Sequence, residues 1–155
     1  METALRGGCL CGSVRYEYAG EPDDASYCHC DDCRKATGGP YTVGVLVKAS
    51  LLRIVSGKVK GYTTTGDSGL EITREFCPEC GSPLFTRAEK LPSSVWLKAG
   101  SLDEPERVRP SCQTWTERAV PWAHIDEKLP SFPKGRPSKT DASQASGPRK
   151  GNGHE

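Results

Sequence analysis

Cys77-Pro78-Glu79-Cys80-Gly81 has the form of a zinc knuckle. In such a turn two thiolates point at one centre, backbone N–H groups donate to the sulfurs, and the glycine lets the chain leave without a clash. A pair, Cys9-Leu10-Cys11, stands upstream and can also converge on one ion. Between the two lies a triplet, Cys28-His29-Cys30-Asp31-Asp32-Cys33. The eighth cysteine, Cys112, stands alone. None of these spacings suits a disulfide within its own group, and seven clustered cysteines make an odd number for a disulfide framework. A redox C-x-x-C motif would open a helix in a βαβ unit, and the sequence shows no such unit. The cysteines therefore read as metal ligands for zinc. Spacing alone does not separate zinc from iron, because thiolates suit both.

The segments around the cysteines are mostly β in character. Ser13 to Tyr18 alternates apolar and polar residues, and Tyr41 to Val47 is β-branched and apolar enough for burial on both faces. Leu51 to Val55, Val59 to Thr64, Leu70 to Phe76 and Val95 to Ala99 are further short runs. Ser56-Gly57, Gly66-Asp67-Ser68-Gly69 and Gly100-Ser101 punctuate them. Short strands between regular turn signals predict an all-β fold. Asp31 to Thr37 is the one helical candidate, with Asp31 or Asp32 as its cap and Gly38-Gly39 as its end. Pro121 to Phe132 reads as an irregular arm anchored by Trp122, Ile125, Leu129 and Phe132.

The 155 residues are 35% hydrophobic and carry a net charge of +1 at pH 7, which predicts one domain and no strong field toward nucleic acid or an acidic membrane. No apolar run approaches the roughly 20 residues of a spanning helix. Met1 to Gly8 has no hydrophobic run after its first charge, so no signal peptide is expected, and the cysteines point to the reducing cytoplasm. Residues 134–155 lack every large apolar side chain and hold five basic and two acidic residues, which predicts a disordered basic tail. Residues 1–133 form the expected zinc-binding domain, with 16 basic and 18 acidic residues. With three Phe, three Trp and one Met, such a core would draw on metal binding for part of its folding free energy.

Structural zinc is closed by four protein ligands, while catalytic zinc keeps an open position. Two cysteine pairs make one closed site, and spacing does not say which two pairs unite. Cys28, Cys30 and Cys33 make a three-thiolate site, unless Cys112 or His29 completes it. Alternation of an extended chain turns His29 away from the metal. Arg34 and Lys35 are candidates for holding a substrate carboxylate, against the ordinary role of surface charge. Trp96, Trp115 and Trp122 are candidates for a pocket wall or for plain core.

Three segments occur in a fixed order: Gly8-Cys9-Leu10-Cys11-Gly12, then Cys28-His29-Cys30-Asp31-Asp32-Cys33-Arg34-Lys35-Ala36-Thr37-Gly38, then Phe76-Cys77-Pro78-Glu79-Cys80-Gly81-Ser82. Together with Pro121-Trp122 and Leu129-Pro130, they resemble the glutathione-dependent formaldehyde-activating enzyme family, which also contains centromere protein V. The resemblance runs from about Gly7 to Phe132. It implies an all-β, Mss4-like fold with two layers of antiparallel sheet, zinc knuckles and a short helix. It also implies two Zn2+ ions: a structural one on Cys9, Cys11, Cys77 and Cys80, and a catalytic one on Cys28, Cys30 and Cys33. The family's named activity joins glutathione to formaldehyde to give S-(hydroxymethyl)glutathione, a carbon–sulfur lyase reaction.

The expected function is thus a zinc-dependent carbon–sulfur lyase-type enzyme acting on a small thiol or thiol adduct, with glutathione as the model partner. The alternative is a non-catalytic zinc-stabilised binding module with a protein or nucleic-acid partner, against which the body's charge of −2 counts for nucleic acid. A zinc hydrolase would lack a general base beyond His29.

Overall fold

The computed structural model describes residues 5–22, 24–66 and 69–136. In chain order the elements are β1 (Leu5–Gly8), β2 (Arg15–Tyr18), β3 (Asp24–Cys28), α1 (Asp31–Thr37), β4 (Thr42–Lys48), β5 (Leu52–Ser56), β6 (Lys60–Thr65), β7 (Glu71–Phe76), β8 (Pro83–Ala88), β9 (Ser94–Lys98) and β10 (Cys112–Thr114). Single 3-10 turns lie at Ala49–Leu51, Ala99–Ser101, Pro105–Arg107 and Thr116–Arg118. The protein is mostly β with one short α-helix, as the turn spacing implies. Among the described residues no helix is long and apolar enough to cross a membrane.

The chain divides into two compact units, residues 1–24 with 44–108 and residues 25–43 with 109–155. In the first, β1, β2 and β5 form an antiparallel sheet in the order β1-β2-β5, with Leu5 opposite Tyr18 and Gly8 opposite Arg15. From Gly44 onward, β4 pairs antiparallel with β9, and the order continues β9-β8-β7-β6, again antiparallel. Alternate residues of each strand turn to one face. Tyr16 and Tyr18 of β2 are fully excluded from solvent, as are Val45 and Val47 of β4, Leu84 and Phe85 of β8, and Val95 and Leu97 of β9. The rings of Tyr16 and Phe85 meet edge to face with centroids 5.2 Å apart, so the two sheets of this unit form layers.

The second unit holds β3, α1 and β10. Here β10 runs parallel to β3, with Cys112 opposite Ser26, Gln113 opposite Tyr27 and Thr114 opposite Cys28. This pair adds a parallel ladder to the antiparallel sheets that the resemblance implies. The C-terminal arm closes on it: Gln113 N–H donates to Pro130 O, and Phe132 N–H donates to Gln113 O, both at 2.9 Å. Phe132 is buried, but Trp122 is 61% exposed and does not anchor the arm.

Four strands carry no period-2 signal, the short β10 (Cys-Gln-Thr) among them. β1 is Leu-Arg-Gly-Gly, β3 is made of small and polar residues, and β8 opens on a proline. Their partners impose the extended state. Gly7 shows how tight that imposition is, since a Cβ there would fall onto the Tyr16 phenol and the Ser101 carbonyl oxygen. Positions 67 and 68 of the expected Gly66–Gly69 turn, and residues 137–155 of the expected tail, lie outside the described residues.

Candidate metal centres

Four sulfurs in the first unit converge. Those of Cys9, Cys11, Cys77 and Cys80 all lie within 4.8 Å of one another. Cys9 and Cys11 sulfurs are 3.6 Å apart, and those of Cys11 and Cys77 are 3.8 Å apart. Sulfurs about 2.3 Å from one zinc on a tetrahedron stand about 3.8 Å from each other, so the spacing fits that ion. The donor pattern fits as well. Val14 N–H donates to Cys9 Sγ at 3.2 Å, and the N–H groups of Glu79 and Cys80 donate to Cys77 Sγ at 3.3 and 3.4 Å.

The two halves of this centre are copies in miniature, because both read Cys-Gly-Ser: Cys11-Gly12-Ser13 and Cys80-Gly81-Ser82. Gly12 and Gly81 take φ of 83° and 80°, a left-handed turn that a side chain would strain. Each serine hydroxyl then returns to its own cysteine, with Oγ 3.2 Å from Sγ in both halves. Ser82 Oγ also accepts from Leu10 N–H at 3.0 Å, which ties the halves together. The Ser82 hydroxyl, backbone N–H groups and Cys77 bring the Cys80 thiol down to about 5. At Cys9 burial raises the thiol pKa, but the Val14 N–H and the neighbouring hydroxyl and thiols outweigh it and leave it at about 7. Ser13 and Ser82 were not foreseen as part of the centre, although the repeated tripeptide is visible in the chain.

The second set lies in the other unit. The sulfurs of Cys28, Cys30 and Cys33 also lie within 4.8 Å of one another, and no other His, Cys, Asp or Glu among the described residues joins them. Cys28 is the last residue of β3, and Cys30 and Cys33 flank the start of α1. The cap of α1 is Cys30 itself rather than Asp31 or Asp32: its sulfur accepts Cys33 N–H at 3.2 Å. A thiolate can take the capping place of a carboxylate because it too is an anionic acceptor for the unpaired first-turn N–H groups. Gly38, at φ 80°, ends the helix as expected. Sulfurs held this close oppose one another's ionisation. Cys28 and Cys33 hold the Cys30 thiol far above its ordinary range, and burial adds to it. At Cys28 the hydrogen bond with Cys30 lowers the thiol, but Cys33 and burial prevail and push it up to about 11. Such a trio suits a divalent cation in place of its protons.

His29 and Cys112 stand outside this set. His29 is fully buried; its backbone N–H donates to Thr114 O at 3.0 Å, and its ring meets Tyr41 edge-on at 5.3 Å. Cys112 is 3% exposed, and burial raises its pKa, the behaviour of a small core side chain. Arg34 and Lys35 part company. Lys35 is exposed, while Arg34 donates to Asp31 Oδ1 at 2.9 Å.

A third residue joins them that the sequence did not single out. Arg118 Nε and Nη2 donate to the two oxygens of Asp31 at 3.3 and 2.7 Å. These two arginines, Arg118 foremost, bring the Asp31 carboxyl down to about 2. Arg118 ends the 3-10 turn Thr116–Arg118, which follows Trp115 at φ 56°. Trp115 is the only non-glycine residue with positive φ among the described residues, and that conformation costs about 1–3 kcal/mol unless its surroundings enforce it.

A mostly β protein carrying one cluster of four and one of three cysteine sulfurs has two groups that could each hold a metal ion. The family described as glutathione-dependent formaldehyde-activating enzyme matches residues 4–118, and the chain belongs to that family. Among solved structures it resembles a crystal structure of a Rhodobacter sphaeroides protein. The two are 26% identical, with a TM-score of 0.52, over 64% of this chain and 88% of that one.

Proposed function

We propose that the chain is a zinc-dependent enzyme of the carbon–sulfur lyase type, acting on a small thiol or thiol adduct such as glutathione and its formaldehyde adduct. The observation that carries this is the unequal pair of clusters. One has the four donors of a closed site. The other has three, and neither Cys112 nor His29 joins it. Three protein ligands are the mark of a zinc that keeps a position for substrate. Family membership supports the same chemistry.

Cys28, Cys30 and Cys33 would hold the catalytic ion, and Cys9, Cys11, Cys77 and Cys80 the structural one. Zn2+ at the triplet would supply the Lewis acidity that makes an incoming thiol nucleophilic near neutral pH. In the forward direction the substrate sulfur forms a bond to the formaldehyde carbon, and the thiol proton ends on the former carbonyl oxygen. Cys33 N–H, donating to Cys30 Sγ, holds that sulfur in place and tempers its charge. Tyr41, against the buried His29 ring, fixes the residue between Cys28 and Cys30. Residues 1–133 would be the zinc-binding domain and residues 134–155 an appended basic tail. Seven ligating thiolates suit a reducing compartment, and we place the protein in the cytoplasm.

Native mass spectrometry with and without excess glutathione tests this. Expected are two zincs per chain and one bound thiol that a Cys30→Ser variant no longer takes up, while that variant stays folded and Cys77→Ser does not. Two zincs with no bound thiol would favour the non-catalytic binding module. One zinc, or a Cys30→Ser variant as unstable as Cys77→Ser, would overturn the catalytic assignment.

A further inference from the structure

Asp31 occupies an unusual position. It follows Cys30 directly and precedes Cys33 by two residues, so its backbone belongs to the turn that gathers the triplet. Its side chain is held from two sides. Arg34, on the same helix, reaches one oxygen, and Arg118 reaches both from 87 residues away with a two-pronged fork. The fork matters, because two parallel N–H···O bonds fix the plane of a carboxylate as well as its place.

Arg118 is itself held by a strained and heavily pinned turn. Trp115 takes the left-handed conformation, and its N–H donates to Lys134 O at 3.0 Å. Thr116 gives both its N–H and its hydroxyl to Phe132 O, at 3.1 and 3.2 Å. Arg118 N–H closes the turn on Trp115 O at 3.0 Å. Phe132 at the end of the C-terminal arm and Lys134 just beyond it thus hold a conformation that the turn would not choose alone, and its outcome is a guanidinium aimed at Asp31. Strain maintained by its surroundings is a pointer to function. The charges also balance. Three thiolates with one divalent ion sum to −1, and Arg34, Arg118 and Asp31 sum to +1.

We infer that Arg118 is a positioning residue for the Cys28, Cys30 and Cys33 centre, acting through Asp31, and that the C-terminal arm serves to hold it there. This rests on the reading of the triplet as a metal site. Groups hydrogen-bonded directly to metal ligands change metal affinity by about 10–100-fold when removed, and Arg118, one step further out, should fall at the lower end of that range.

The test uses the full chain loaded with Co2+, whose thiolate spectra report ligand geometry, with a Cys30→Ser sample marking which bands belong to the triplet. Arg118→Ala should speed metal loss to a competing chelator from the triplet by about tenfold or more and shift its bands. The four-thiolate centre in the same molecule should keep its rate and spectrum. Arg118→Lys should recover only part of the effect, since a point charge does not reproduce the fork. If Arg118→Ala fails to fold, Asp31→Asn probes the same pair from the other side and should also loosen the triplet selectively. An unchanged triplet, or equal losses at both centres, overturns the proposal while leaving the metal reading intact. A wild-type chain that takes only one ion overturns the metal reading and the proposal with it.

Discussion

Tyr16→Phe should reverse its effect on stability between neutral and alkaline pH. Tyr16 is fully excluded from solvent, and burial pushes its phenol from near 10 up to about 12, with the Ser101 hydroxyl working against it. Ser101 Oγ donates to Lys98 O at 2.7 Å, so the neutral phenol is the donor in the 2.6 Å bond between Tyr16 and Ser101, and only the ionised phenol would draw the Ser101 hydrogen to itself. The folded state therefore prefers the neutral phenol. That preference contributes its full stability below pH 10, the unfolded value, and is lost as pH rises through 12, the folded one. At roughly 1.4 kcal/mol per pH unit, wild type should lose about 1 kcal/mol through this group by about pH 11 and about 2 kcal/mol by about pH 12. Phenylalanine forfeits one hydrogen bond, about 1 kcal/mol, at every pH. Wild type minus variant should thus run from about +1 kcal/mol near pH 8, through zero at about pH 11, to about −1 kcal/mol by pH 12. Urea unfolding of both proteins across this range, at fixed excess zinc, measures the difference, and groups titrating in both proteins cancel. A difference that stays constant up to pH 12 would refute the assignment of Tyr16 as a desolvated phenol.

Two contrasts test the packing around the sites. Gly7→Ala should destabilise by about 1–3 kcal/mol, because the new methyl meets the Tyr16 phenol and the Ser101 carbonyl. Gly100→Ala, with nothing within 4 Å of its Cβ, should stay within about 0.5 kcal/mol in denaturant unfolding. Equal costs would mean that the close approach at Gly7 carries no energy. Cys112→Ala should cost about 1 kcal/mol, as loss of a small buried group, and leave the metal count unchanged. A drop by one ion in elemental analysis would make Cys112 a ligand.

Much of the fold was legible in short segments. The helix Asp31–Thr37 appears where a polar start and a double glycine enclose a helix-compatible run. β4 through β7 and β9 lie within a residue of their sequence signals, because alternation and turn residues are local properties. β1, β3 and β8 were hidden, since a glycine pair, a polar run and a leading proline carry no such signal and are extended only because a neighbour supplies the ladder. The cap of α1 was misplaced for a related reason. Propensity favours Asp31 and Asp32, but the triplet puts the Cys30 sulfur within reach of Cys33 N–H.

The candidate sites divide along the same line. Grouping of the cysteines was readable from the chain, since ligands two or three residues apart can meet at one ion whatever the rest of the fold does. Three further facts depend on residues distant in sequence. Ser13 and Ser82 serve one centre, though 69 positions separate them. Cys112 and His29 lie outside the other cluster, Cys112 on β10 and His29 against the Tyr41 ring. Arg118 reaches Asp31 only because a strained turn, held by the arm, brings it there. The sequence by itself determined which thiols are local neighbours, because turn geometry is set over a few residues, whereas the meeting of the Cys9 and Cys11 pair with Cys77 and Cys80 came with the fold. Only the tertiary structure decided which groups surround them, because those encounters depend on how chain segments far apart pair and close.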